Sequence, residues 1–256
     1  MNKNKKTILL VIVLLIIFYL VIEFAPTIFD NKKYKNTVFL GSNTKVEIKN
    51  GNIRVYNEDK RIIKQKAKIY FKNKFLDGYI SSGDAESSGV TNYYYSYTMD
   101  GDSLIPKNGL IAHTNDLSIK IKETHEEKST DLSDLFNFTK ENNISISENI
   151  TLDYLDINRI EDSTVDYICS VGFIENDSDY SSYVFIKKDN KYILIDKEQS
   201  DYNDIHNIRL KFNNLIDFNN DNDYEFVISK VMSDYGPNYY ELYSFDGNKF
   251  TKIGGE

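Results

Sequence analysis

Fifteen consecutive apolar residues, Ile8 to Ile22, follow Lys3, Lys5 and Lys6, and no other stretch of the chain is so uninterrupted. Extended to residues 7–25, the run covers about 19 residues, or roughly 28 Å as a helix, which matches the hydrocarbon thickness of a bilayer. It predicts a single N-terminal transmembrane helix acting as a signal anchor, with residues 1–6 as a basic cytoplasmic tail. A cleaved secretory signal is the alternative. Its cleavage site would set Glu23 at −3, Ala25 at −1 and Pro26 just after, which is a poor match. No cysteine directly follows the run, which excludes lipoprotein processing. Residues 26–36, PTIFDNKKYKN, read as a polar stalk.

Beyond the stalk the period changes from continuous to alternating. KVEIK and IRVYN flank Asn50-Gly51-Asn52, a hairpin signal because Asn-Gly accepts positive φ. IIKQKAKIYF alternates apolar with charged residues, as a strand with one wet face does. FLDGYI, YYYSYTM-Asp100-Gly101-Asp102, GLIAHT and LSIKIKE continue the β pattern. One segment departs from it. Leu132, Leu135, Phe136 and Phe138, with Ser129 or Thr130 as a cap and acidic residues in the first turn, predict a short helix near 131–142.

The C-terminal part, 151–256, reads as a duplicated β-repeat region, and 37–150 as a separate β-rich region. Leu155-Asp156-Ile157-Asn158 matches Ile216-Asp217-Phe218-Asn219, and Val165-Asp166-Tyr167-Ile168-Cys169 matches Tyr224-Glu225-Phe226-Val227-Ile228. Tyr183-Val184-Phe185-Ile186 matches Glu241-Leu242-Tyr243-Ser244, each followed by a tight turn at Asp189 or Asp246. Each unit reads as loop, strand, polar loop, strand, turn, strand. The expected fold is therefore mainly β: antiparallel meander repeats, partly propeller-like, with one short helix and the membrane helix ahead of them.

Composition narrows the partners. The chain is 41% hydrophobic and 14% aromatic, enough to bury a core, and its net charge of −8 argues against a nucleic-acid partner. The single cysteine, Cys169, rules out an internal disulfide; its place in the repeat predicts a core position. Abundant Asn, Lys, Ile and Tyr with little Ala suggest an AT-rich bacterial genome. Tyr93, Tyr94, Tyr95 and Tyr97, and Tyr239, Tyr240 and Tyr243, read as strand packing or as a recognition face. The chain has no Trp for a sugar platform.

Asp217, Asn219, Asp221, Asp223 and Glu225 are spaced as ligands of a hard cation. Alternate loop positions supply side-chain oxygens, Asp223 a main-chain carbonyl, and Glu225 closes the loop from the next strand. Asn222 takes the sharp-turn position, because Asn tolerates left-handed backbone. With Phe226-Val227-Ile228 behind it, this segment resembles the calcium loop of VCBS and FG-GAP repeats, found in integrin-type propellers and bacterial surface proteins. That resemblance implies bound Ca2+ at these five residues. The first copy has Ile160 and Arg159 in the way, and is not expected to bind metal. The same residues also read as an ordinary Asp/Asn turn.

Catalytic signals are absent. His113, His125 and His206 are scattered, and His125-Glu126-Glu127 lacks the second His of a zinc helix because Ser129 stands there. The expectation is a non-enzymatic interaction or structural module of a bacterial cell surface, single-pass with its C-terminal domain outside, binding a protein or a cell-wall component. The alternatives are an accessory to a cell-wall or polysaccharide enzyme, a degenerate hydrolase, and a membrane-tethered immunity or assembly factor.

Overall fold

A computed structural model describes residues 34–57, 62, 64–87, 90–99, 102–104, 110–147, 149–161, 163–201, 207–232 and 239–254. The predicted anchor at 7–25 lies outside the described residues, as do the basic tail and most of the stalk. Among the described residues no helix is long and apolar enough to cross a membrane.

The described chain is mainly β, in antiparallel sheets with one helix. It begins with β1 (Thr37–Leu40), β2 (Thr44–Lys49), β3 (Asn52–Asn57), β4 (Gln65–Phe71), β5 (Lys74–Ser87), β6 (Val90–Met99), β7 (Asp102–Leu104) and β8 (Ile111–Thr114). These form one sheet in the order β3-β2-β1-β8-β4-β5-β6-β7. Then come β9 (Lys120–Lys122), β10 (Thr124–Lys128) and α1 (Ser133–Glu141), followed by β11 (Ile150–Ile160), β12 (Tyr167–Glu175), β13 (Asp179–Lys188) and β14 (Lys191–Asp201). The chain closes with β15 (Ile208–Asp217), β16 (Glu225–Met232), β17 (Tyr239–Phe245) and β18 (Phe250–Ile253). The second sheet runs β10-β11-β12-β13-β14 and the third β18-β17-β16-β15-β9.

Local chemistry explains the hairpins. Asn50 and Gly51 have φ of 53° and 78°, Lys72 and Asn73 have 50° and 61°, and Asp189 and Asn190 have 51° and 61°. Paired left-handed residues in two-residue loops match the right-handed twist of the strands they join. The Asn-Gly signal thus lands on the β2–β3 turn, with Lys49 opposite Asn52. The helix lies inside the expected 131–142, but its cap differs. Neither Ser129 nor Thr130 caps it; Asp131 Oδ1 accepts the Ser133 N–H at 2.9 Å. Leu135 and Phe138 are fully buried, with Phe138 stacked on Phe185 at 4.2 Å.

The sheets stack face to face. Ile168, Val184 and Ile186 of the second sheet meet Leu210, Phe226 and Ile228 of the third. The other face of the third, through Ile216, Val227 and Leu242, packs on Val38, Leu40 and Val46 of the first. The outer face of the second carries Cys169, Val171 and Phe185 beneath α1. Residues matched in sequence face the same way along this stack. Cys169 and Ile228 both point backward, toward α1 and the second sheet respectively. Val184 and Leu242 both point forward, toward the third sheet and the first.

Two details of the repeat differ from the expectation. Each unit is a four-stranded meander rather than three-stranded, because Leu155-Asp156-Ile157-Asn158 lies within β11 and not in a loop. The ladder also moves the match for the first strand. Asn158 pairs with Ile168 and Ile216 with Glu225, so the counterpart of Ile216-Asp217 is Ile160-Glu161. Bulges between Leu152 and Tyr154 and between Phe212 and Asn214 shift the register, and a one-residue slip reverses every face.

The seam between the two meanders is polar at one end. Among the described residues no strand pairs with the N-terminal half of β15 on the side away from β16, and serines from the second sheet satisfy that edge. Leu210 N–H donates to Ser182 Oγ and Phe212 N–H to Ser170 Oγ, both at 2.9 Å. Tyr154 OH donates to the Leu210 carbonyl at 2.7 Å, and Arg209 grips Asp153 through two nitrogens at 2.8 and 3.3 Å.

Candidate calcium loop

The loop joining β15 to β16 holds all five residues expected to bind metal. Asp217 is its hub: the side chain is wholly buried, and both oxygens accept main-chain N–H groups. Asp221 N–H donates to Oδ1 at 3.2 Å and Asn222 N–H to Oδ2 at 3.1 Å. Asp221 Oδ1 accepts the Asp223 N–H at 2.9 Å, and Asn219 Nδ2 donates to Asp221 Oδ2 at 2.7 Å. Asn220 and Asn222 adopt φ of 60° and 70°, the left-handed backbone that the sharp turn demands.

Glu225 enters from the first position of β16 and is almost fully buried, with Oε2 accepting the Phe218 N–H at 3.4 Å. Burial pushes its carboxyl up to about 7, and the nearby Asp221 and Asp217 charges add to the rise. The loop also reaches its surroundings. Asn220 Nδ2 donates to the Ser118 carbonyl at 2.6 Å and Asn219 Nδ2 to the Gly51 carbonyl at 3.3 Å. Lys120 Nζ donates to Asn222 Oδ1 at 2.8 Å and lies 3.5 Å from Asp217 Oδ2. No sequence pattern pointed to Lys120, which is brought in by the pairing of β9 with β15.

The donor set fits a hard cation: only oxygens, three of them carboxylates, two of those withdrawn from water. Among the described residues no three carboxylate, imidazole or thiol groups already stand together as a metal cage. A cation would therefore also need Asn219 and the Asp223 carbonyl, with Lys120 swung aside. In the first repeat, Glu161 and Asp166 flank the corresponding turn and both are exposed.

The Glu225 carboxyl sets a pH dependence. Its folded pKa lies above the ordinary carboxylate value, so the folded state holds a proton that the unfolded chain releases between about pH 4.5 and 7. Calcium-free stability should therefore fall as pH rises through that window, by up to about 3 kcal/mol from this group. Glu225→Gln is expected to remove that component of the slope. A melting-temperature profile from pH 5 to 8 that is identical in the two proteins would refute the assignment.

The other described candidates divide between core and surface. Cys169 is fully buried and burial raises its thiol pKa, so it is an inert core residue as expected. His113 is buried beside Phe75, with its Nδ1 2.9 Å from the Thr114 carbonyl, and His125 is exposed beside Glu161. His206 is outside the described residues. Tyr95, Tyr97, Tyr240 and Tyr243 are buried and Tyr94 is exposed. Comparison with protein-family models, curated proteins and solved structures found no match to this chain.

Proposed function

We propose that this chain is a non-enzymatic interaction or structural module, tethered by residues 7–25 to a bacterial membrane with its folded part outside, whose loop 217–225 is steadied by Ca2+. The observation that carries the cation reading is the wholly buried Asp217 carboxylate facing a nearly buried Glu225 across an all-oxygen loop. Bound there, calcium would neutralise these carboxylates and tie β15 to β16. The tether rests on the apolar run at Ile8–Ile22 and its preceding lysines. The likeness of the loop to VCBS and FG-GAP repeats agrees with the surface setting. So does the stacking of four-stranded meanders, the architecture of propeller blades.

Extracellular modules hold calcium at about 10⁻⁴ to 10⁻³ M. With free calcium about ten times Kd, linkage gives RT ln 11, or about 1.4 kcal/mol. The expected result is a higher melting temperature in millimolar Ca2+, reversed by chelator and lost in Asp217→Ala and Asp221→Ala. An unchanged melt on chelation would remove the metal reading. Release of whole-cell material by external protease, leaving only a tail in the membrane, tests the orientation separately.

A further inference from the structure

Where the second and third sheets meet, away from the calcium loop, a pocket of about 230 Å³ opens between β11 and β15. Asp156 and Asn158 stand on one face of β11, both almost fully buried. Lys211 reaches across from β15, with Nζ donating to Asp156 Oδ2 at 2.9 Å and sitting 4.5 Å from the Tyr154 ring centroid. Those two contacts pin the lysine. Glu126 of β10, paired with Asn158 in the ladder, stands exposed at the rim. Phe212, Asn213 and Ser229 complete the lining.

The Asn158 amide is the telling group. It is nine-tenths buried, lines the pocket, and makes no side-chain hydrogen bond among the described residues. Its amide atoms still reach solvent through the pocket, where two donors and an acceptor are available to a ligand. The lining also carries two carboxylates against one ammonium, and Lys128, opposite Asp156 in the ladder, forms no ion pair with it.

We propose that this pocket binds a small molecule carrying a primary ammonium beside hydroxyl groups, of amino-sugar or amino-alcohol size. The ammonium sits between Glu126 and the Asp156 oxygen that Lys211 leaves open, the Asn158 amide takes a hydroxyl, and the carbon skeleton lies on Phe212. The volume is below the range of about 300–1,000 Å³ of drug-sized sites, which suits a ligand of this scale.

The test compares matched pairs on the full-length chain in mild detergent by titration calorimetry: glucosamine against glucose, and serinol against glycerol. Within each pair only an amine replaces a hydroxyl. At least one amine is expected to saturate, with its hydroxyl twin about tenfold weaker. Asn158→Leu, which puts an apolar group of similar size over the floor, should abolish binding. Glu126→Gln, a rim change without consequence for folding, should weaken the amines alone. The proposal is overturned if neither amine saturates by roughly 10 mM, if amine and hydroxyl bind alike, or if Asn158→Leu binds as the parent does. Should Asn158→Leu fail to fold, an unchanged amine affinity in Glu126→Gln overturns it instead.

Discussion

Replacing Lys230 with methionine is expected to destabilise the fold by about 3 kcal/mol or more, the scale for removing one partner of a buried ion cluster. Lys230 Nζ lies 2.5 Å from Glu198, 3.3 Å from Glu241 and 3.4 Å from Asp196, and its side chain is only 17% exposed. Lys252 adds a second contact to Glu241 at 2.6 Å, and Tyr243 OH donates to that carboxylate at 2.8 Å. One lysine thus holds three carboxylates from β14 and β17 together across the second and third sheets. Burial raises the Asp196 pKa in spite of Lys230, and its Oδ2 is buried without a hydrogen bond. Burial also opposes the charge on Glu241, but Lys252, Tyr243 and Lys230 outweigh it and lower that pKa.

With the ammonium gone, Lys252 alone faces three partly dehydrated acids. The deficit should be largest above pH 7 and shrink toward pH 5, because Asp196, whose pKa burial already raises, then takes up a proton that the unfolded chain does not. Urea unfolding of the parent and Lys230→Met at both pH values checks this. A loss under about 1 kcal/mol would mean that the cluster behaves as a solvated surface group.

What the sequence made readable, and what it hid, follow from the range of each interaction. The Asn50-Gly51 turn, the helix around Leu135 and Phe138, and the alternation in β4 depend on neighbours within a few residues, and each appears where local chemistry predicts. The left-handed turn at Asn222 was readable for the same reason, since the stretch from Asp217 to Glu225 is short and local. Lys120, 102 residues from Asn222, was not, and neither was the Lys230 cluster, whose members come from four strands. The insertion of β8 between β1 and β4, and the capture of β9 and β10 by the later sheets, are likewise matters of long-range pairing. The mismatched first strand has a different cause. Leu-Asp-Ile-Asn and Ile-Asp-Phe-Asn look alike as strings, but the first lies inside β11 while the second runs off the end of β15 into the loop, so the ladder sets them out of step, and ladder register is invisible in composition.

That ladder gives the second large expectation: Gly172→Val should cost about 3 kcal/mol and act by separating the meanders. Any Cβ at Gly172 would lie 2.4 Å from Tyr154 Cε1 and 2.4 Å from Tyr180 OH. Neither ring is free to yield. Tyr154 OH is 2.6 Å from Ser182 Oγ and donates to the Leu210 carbonyl, while Tyr180 OH donates to Asp153 Oδ2 at 2.9 Å. Asp153 is also the partner of Arg209, so displacing either tyrosine loosens β15 from the second sheet. The β15 edge then loses the contacts that satisfy it, and water must enter the seam. Gly172→Ala should show a smaller loss of the same kind, since a methyl still meets both rings. Hydrogen exchange provides the specific readout: the amides of Leu210 and Phe212 should lose protection in Gly172→Val before those of Val184 and Phe185 do. Uniform loss of protection across both sheets, or a valine tolerated within about 0.5 kcal/mol, would show that the tyrosines can move and that the close approach at Gly172 does not hold the two units together.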